Sequence, residues 1–250
     1  MDCKNCGYTV EGYYCAQCGQ SGGVDRINFP NFVRELSGSV FQVDRGFLYT
    51  LRMLSLRPGH SIREYLQGKR RRHFKPIAYV LIMSTAYFLA TKVLDSNTVV
   101  NDFMTGFSDG ADAISESNSA MRVMRWLSQN YGYFTLLLLP LYSLASWLAF
   151  RKAGYNYFEH IVLNAYITGQ QAIIYIFSEL LTAWLSEDGV LSMVTIALTM
   201  AYAFWVFWQF FSGFRPIGRI IRSVLAYVNF WLLFIALFLS FLALMEFVVG

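Results

Sequence analysis

Apolar residues are distributed in two ways along this chain of 250 residues, and the change falls between Pro58 and Pro76. Before it, they recur at helical spacing among polar residues. After it, they form five runs, at 77–94, 131–150, 161–185, 190–211 and 224–249, each long enough to cross about 30 Å of hydrocarbon as a helix. The pattern predicts an α-helical polytopic membrane protein with five transmembrane helices over residues 76–250.

The amphipathic part predicts two shorter helices. Pro30 suits a first helical position, and Phe32, Val33, Leu36, Val40 and Val43 then share a face from which Arg34, Glu35 and Ser39 are absent. Asp44 is the expected N-cap of a second helix, with Phe47, Leu48, Leu51 and Leu54 on one side and Arg45, Arg52 and Ser55 toward another. Neither reaches the length of a span, so they lie at the membrane interface or form a small helical domain. Next, Pro58-Gly59-His60 is expected to turn, and Ser61-x-x-Glu64 to act as a capping box for a helix from Ser61 to Gln67 that Gly68 ends. Lys69, Arg70, Arg71, Arg72 and Lys75 follow directly, and Pro76 opens the first span. Residues 23–75 are thus a juxtamembrane region with a basic corner.

Only 14% of residues are charged and mean hydropathy is +0.40, against about 25% charged in soluble domains. The charges are also segregated. Of 20 Lys and Arg residues, 17 fall before the first run or in the links holding Arg151 and Lys152, or Arg215, Arg219 and Arg222. The stretch 95–120 has Asp95, Asp102, Asp109, Asp112 and Glu116 with no Lys or Arg, and the next alternate link holds only Glu187 and Asp188. The positive-inside rule then puts the N-terminus in the cytoplasm and the C-terminus outside. The segment 121–128, with Arg122 and Arg125, is expected to lie along the outer interface. The start of the chain lacks a basic stretch followed by an apolar one, which agrees with a cytoplasmic N-terminus. A multi-pass location in a membrane is expected.

All four cysteines fall in the first 18 residues, as Cys3-x2-Cys6 and Cys15-x2-Cys18, with Gly7 and Gly19 directly after each pair. Two residues between thiolates let one tight turn aim both sulfurs at one ion, so two such knuckles supply a tetrahedral set. Disulfides need an oxidising compartment, and a redox CxxC needs a strand and helix that residues 7–14 are too few to form. Residues 1–22 therefore read as a zinc ribbon holding Zn2+, structural because four thiolates leave no open position.

Polar residues inside the apolar runs are few. Glu159 and His160 open the third run, where hydration at the membrane edge is the expected role and a proton-handling pair the other. Asn164, Gln170 and Gln171, with Gly169, make its middle polar, as interhelical hydrogen bonds or as an intramembrane site. Glu179, Glu246 and Lys92 lie toward the outer ends, within reach of interfacial water. There is no GxSxG, HExxH or P-loop, and His60, His73 and His160 have no metal-site spacing, so the reading leans away from an enzyme.

The segments CKNCG, CAQCGQ, DRGFLYTLRMLSLRPG and REYLQGKRRRHFKP resemble bacterial proteins classed as domain of unknown function 3667, which similarly join a short zinc ribbon to a membrane domain. The positions that carry the resemblance are the four cysteines, Asp44, Gly46, Thr50, Leu54, Pro58, Tyr65, Gly68, Arg70 and Pro76. The five-span arrangement is also similar to that of Yip1-like membrane proteins. The resemblance to the bacterial family implies a bacterial inner membrane as the location; neither resemblance implies an activity.

Two functions remain. One is a non-catalytic scaffold or adaptor that binds a cytoplasmic protein or anionic lipids of the bilayer through the ribbon and the corner, using His60, Arg63, Tyr65, Lys69, Arg70, Arg71, Arg72 and Lys75. The other is a transporter or lipid-active enzyme with a site between the third and fifth spans near Glu159, His160 and Gln170, with Tyr202, Trp205 and Trp208 beside it. Nucleic acid is disfavoured, since the ribbon offers few cations for phosphates.

Overall fold

Long apolar runs become helices when no water competes for their backbone groups, and the computed structural model shows this outcome. It describes residues 1–32, 46–94, 131–185 and 189–249. Helices α1 (Gly46–Leu56) and α2 (Pro58–Leu66) precede a bundle of α3 (Pro76–Leu94), α4 (Tyr131–Ala149), α5 (Tyr157–Leu185), α6 (Gly189–Phe210) and α7 (Pro216–Val249). By length and composition α3, α5, α6 and α7 are able to cross a membrane, and α4 contributes the shorter apolar stretch Leu136–Ala149. Trp184, Met193 and Leu232 are 79%, 76% and 62% exposed on the outside of this bundle, an apolar surface suited to lipid.

Helix α5 is the axis of the bundle. It packs against α3, α4 and α6, while α7 lies mainly on α4. Its start is set by a reciprocal cap: the backbone N–H of Glu159 donates to Asn156 Oδ1 (2.9 Å) and that of Asn156 donates to Glu159 Oε2 (2.8 Å). The helix therefore begins at Tyr157, ahead of the expected apolar start. Helix α7 likewise starts at Pro216 rather than at residue 224. Arg219 and Arg222 do not interrupt it because their guanidiniums fold back, Arg219 to the carbonyls of Phe214 and Trp208 and Arg222 to that of Ala149.

The corner departs from expectation at its start. Pro58, Gly59 and His60 are the first turn of α2 and not a turn before it. Arg57 occupies the N-cap without a side-chain cap bond, and Ser61 lies inside the helix, so the predicted capping box does not form. Two observations account for this. Proline already has the φ of a first helical residue, and the free N–H of Gly59 donates to Gln209 Oε1 of α6 at 3.1 Å. A Cβ on Gly59 would lie 2.4 Å from the backbone nitrogen of Phe210, so only glycine permits this approach of α2 to α6. The predicted end holds, since Gly68 has φ +107° just after α2, and Pro76 opens α3.

One core joins these parts. Ile27, Leu54, Ile62, Tyr65 and Phe74 from before α3 pack with Tyr79, Val162, Tyr166 and Phe210 of the bundle. Thr50 ties α1 to the corner by accepting from the backbone N–H of Phe74 at 2.7 Å. The basic links gather at the same end: Arg63 reaches the carbonyl of Phe210 and the hydroxyl of Ser212, and Asn156 reaches the carbonyl of Ile27.

Several expectations lie outside the described residues. These are the helix expected after Pro30 beyond Phe32, the Asp44 cap, the acidic stretch 95–120, the interfacial segment 121–128 and the link with Glu187 and Asp188; the Glu246 side chain is also outside them.

Candidate functional site

The two cysteine knuckles repeat one set of hydrogen bonds. The N–H of Cys3 donates to Tyr8 O and that of Gly7 to Cys3 O, and in the second knuckle Cys15 donates to Gln20 O and Gly19 to Cys15 O, all at 2.8–2.9 Å. Gly7 and Gly19, with φ +77° and +70°, supply the left-handed residue on which each turn depends. All four sulfurs lie within 4.8 Å of one another, with Cys3 to Cys18 at 3.6 Å and Cys6 to Cys15 at 3.5 Å. Tetrahedral thiolates about 2.3 Å from an ion would stand about 3.8 Å apart, so the set fits a metal ion. The Tyr8 backbone draws the Cys6 thiol down, but burial and the thiols of Cys15, Cys18 and Cys3 outweigh it and push it up to about 12, a crowding that a bound cation would relieve.

The corner grips this ribbon. The Gln20 carboxamide, 5% exposed, donates from Nε2 to Gly68 O (2.8 Å), while its Oε1 accepts from the backbone N–H groups of Arg70 (3.0 Å) and Arg71 (3.1 Å). The Arg71 Nε donates to Cys18 O at 3.0 Å, and an Arg70 guanidinium nitrogen donates to Asp25 O at 2.9 Å. Beneath them, His73 Nδ1 donates to Lys69 O (2.8 Å) and its Nε2 accepts from the Ser61 hydroxyl (3.0 Å). Ser61 thus serves His73 where a cap was expected. Burial, more than any other influence, lowers the His73 pKa.

The matching family adds a name to this stretch. Residues 44–88 match the family model described as protein of unknown function, DUF3667. No curated protein and no solved structure matches the chain. The matched stretch spans α1, α2, the basic turn and the first part of α3. The positions that carried the resemblance have internal duties there: Thr50 binds the corner, Leu54 and Tyr65 are buried, and Arg70 lies over the Tyr65 ring at 5.4 Å. The four cysteines lie outside it.

The predicted corner residues therefore divide. Tyr65 is 1% exposed and belongs to the core, and Arg70 and Arg71 hold the ribbon. Arg63 is spent on α6, and His60 is exposed with Nδ1 3.3 Å from Gln209 Oε1. Lys69 and Arg72 remain exposed, with Lys75 half-buried beside them.

The predicted intramembrane residues also separate. Glu159 and His160 are 4% and 0% exposed, which corrects the expectation of hydration at the membrane edge. Glu159 receives two charge-assisted hydrogen bonds from Arg26, at 2.8 and 2.7 Å, which with the charge of Glu159 raise the Arg26 pKa. His160 faces elsewhere, with Nδ1 2.9 Å from the Ser146 hydroxyl, so the two are not a proton-handling pair. Its Nε2 is buried without a hydrogen bond to any described residue. Glu179, 3% exposed, accepts from the Tyr87 hydroxyl at 3.4 Å instead of reaching interfacial water. Gln170 is engaged with the Tyr79 hydroxyl (2.6 Å) and Ser55 (2.8 Å).

Asn164 and Gln171, by contrast, line a half-open cavity of about 270 Å³ to which all five bundle helices contribute. It is not the site expected near Glu159, His160 and Gln170, none of which lines it, and Trp205 and Trp208 are 39% and 40% exposed on the outside. The signal that would have located it was present in the sequence: Asn164, Thr168, Gln171 and Tyr175 recur at helical spacing on one face of α5.

Proposed function

We propose that this protein is a membrane adaptor of the bacterial inner membrane, which holds a structural zinc ribbon at the cytoplasmic end of a five-span domain for a protein partner to bind. The observation that carries the reading is the grip of Gln20, Arg70 and Arg71 on the ribbon, which fixes its orientation while Tyr13 and Tyr14 stay 89% and 70% exposed, Tyr14 at the cleft between ribbon and corner. Rigid exposed tyrosines give large contact area at little entropic cost. Four thiolates favour zinc and fill its coordination, so the ion shapes the ribbon and takes no substrate. The cytoplasmic placement rests on the gathering of basic links at the ribbon's end of the bundle. Lys69, Arg72 and Lys75, at the start of α3, are placed to meet anionic headgroups.

The test is photocrosslinking in cells from a photoreactive residue at Tyr13. The expected result is a discrete protein adduct that disappears in the Cys15→Ser variant, in which the ribbon cannot fold. Adducts with lipid alone, or a protein adduct unchanged by Cys15→Ser, would refute the adaptor reading.

A further inference from the structure

The cavity inside the bundle has unused hydrogen-bonding capacity in an apolar setting. Ser84 (α3), Tyr142 (α4), Thr168 (α5) and Tyr227 (α7) line a common space, and their hydroxyls hydrogen-bond to no described residue. Asn164 and Gln171 have spent their amino groups on Ser146, the His160 carbonyl and the Thr199 carbonyl, which leaves their carboxamide oxygens as acceptors. In a membrane domain a polar atom without a partner is costly, and other polar side chains of the described bundle find one, as Gln170 does with Tyr79 and Ser178 with Thr195, although His160 Nε2 does not. Six such atoms from four helices around one space indicate that a ligand, and not the protein, completes them.

The lining defines the ligand's chemistry. Among the described residues no Asp, Glu, Lys, Arg or His lines the cavity, so the ligand is uncharged at this point. Its volume of about 270 Å³ compares with roughly 150 Å³ for a cavity that takes one benzene, which is room for a head and not for a whole lipid. Ile196 and Met200 of α6 and Trp231 of α7 line the space and are 42%, 41% and 44% exposed, so the wall between α6 and α7 is the open side by which a chain can leave into the bilayer. We infer that the cavity binds one uncharged amphiphile by an oxygen-bearing head, with its apolar chain passing between α6 and α7. Diacylglycerol and a quinone share this chemistry. The inference is independent of the adaptor reading.

The test uses the full chain in phospholipid nanodiscs with two photoreactive probes, a diacylglycerol and a quinone, each carrying its reactive group near the head. At least one probe is expected to label peptides containing residues 164–175 or 226–231, saturably and in competition with its unmodified parent lipid. Tyr227→Phe, which removes only the hydroxyl, is expected to weaken labelling about fivefold with thermal unfolding unchanged, and Gln171→Leu to weaken it by a similar factor while also losing the bond to the Thr199 carbonyl and some thermal stability. Gln171→Asn controls for folding by keeping the amide. Labelling by only one probe identifies the source. Labelling by neither, equal labelling by an anionic phosphatidylglycerol probe, or labelling indifferent to both variants would overturn the inference.

Discussion

At the scale of single residues, contacts across sequence matter more than local pattern in this protein. Gly59 is a helical residue whose missing side chain admits the backbone of α6, with Gln209 Cβ and Phe210 N at 2.5 and 2.4 Å from where a Cβ would stand. Gly59→Ala is therefore expected to cost about 1–3 kcal/mol as overpacking, while Gly213→Ala, with nothing within 4 Å, changes little. Thermal unfolding of the two variants in one detergent checks the difference. His73 makes a second case. Because burial lowers its pKa in the folded state, the folded protein binds this proton less readily than the unfolded chain. The resulting stability is present above the ordinary value of about 6.5 and declines as pH falls below it. Of the charged groups that face His73, Glu64 opposes the shift, and Arg57 and Lys69 add to it. The drop in melting temperature between pH 7.5 and pH 5.5 is expected to be larger in the native protein than in His73→Gln; equal drops would exclude His73 as the source.

At the scale of elements, two similar sequence patterns had opposite outcomes. Ser61-x-x-Glu64 has the form of a capping box and caps nothing, because Pro58 starts the helix three residues earlier and Gln209 satisfies the freed N–H of Gly59. Asn156-x-x-Glu159 does form a reciprocal cap, although Glu159 was expected to be hydrated at the membrane edge. Asn156→Ala is expected to destabilise by about 1 kcal/mol or more, since it removes a cap as well as the bond to Ile27 O; Ser61→Ala is expected to leave the start of α2 intact. Amide exchange at Glu159 and at Gly59 distinguishes these outcomes. The apolar runs were legible because length alone decides a membrane helix, and the cysteine pairs because their spacing is the chemistry. What remained hidden depended on partners distant in sequence. Arg70 and Arg71 looked like free surface cations, and only the folded chain shows Gln20, Cys18 and Asp25 receiving them. The polar face of α5 was visible as Asn164, Thr168, Gln171 and Tyr175 at helical spacing, but its use as a cavity wall was not, because that depends on α3, α4, α6 and α7 closing around it.

At the scale of the whole molecule, the segment matched by the family model is the joint between two different kinds of structure. A metal-fitting ribbon with almost no core of its own sits on a bundle whose outer surface is apolar, and residues 44–88 connect them through buried side chains, an interhelical glycine contact and a basic turn directed at the ribbon. The ribbon's folding and the corner's order are thus one linked event, because the Arg70 and Arg71 amides bond to a residue that only a folded ribbon holds in place. The direct measurement is hydrogen exchange on the full metal-loaded chain in nanodiscs, before and after chelation. The account predicts that the amides of Arg70 and Arg71 lose protection together with those of Cys15 and Gly19 when metal is removed, while α5 stays protected. Unchanged protection at Arg70 and Arg71 after the ribbon has lost its own would contradict it.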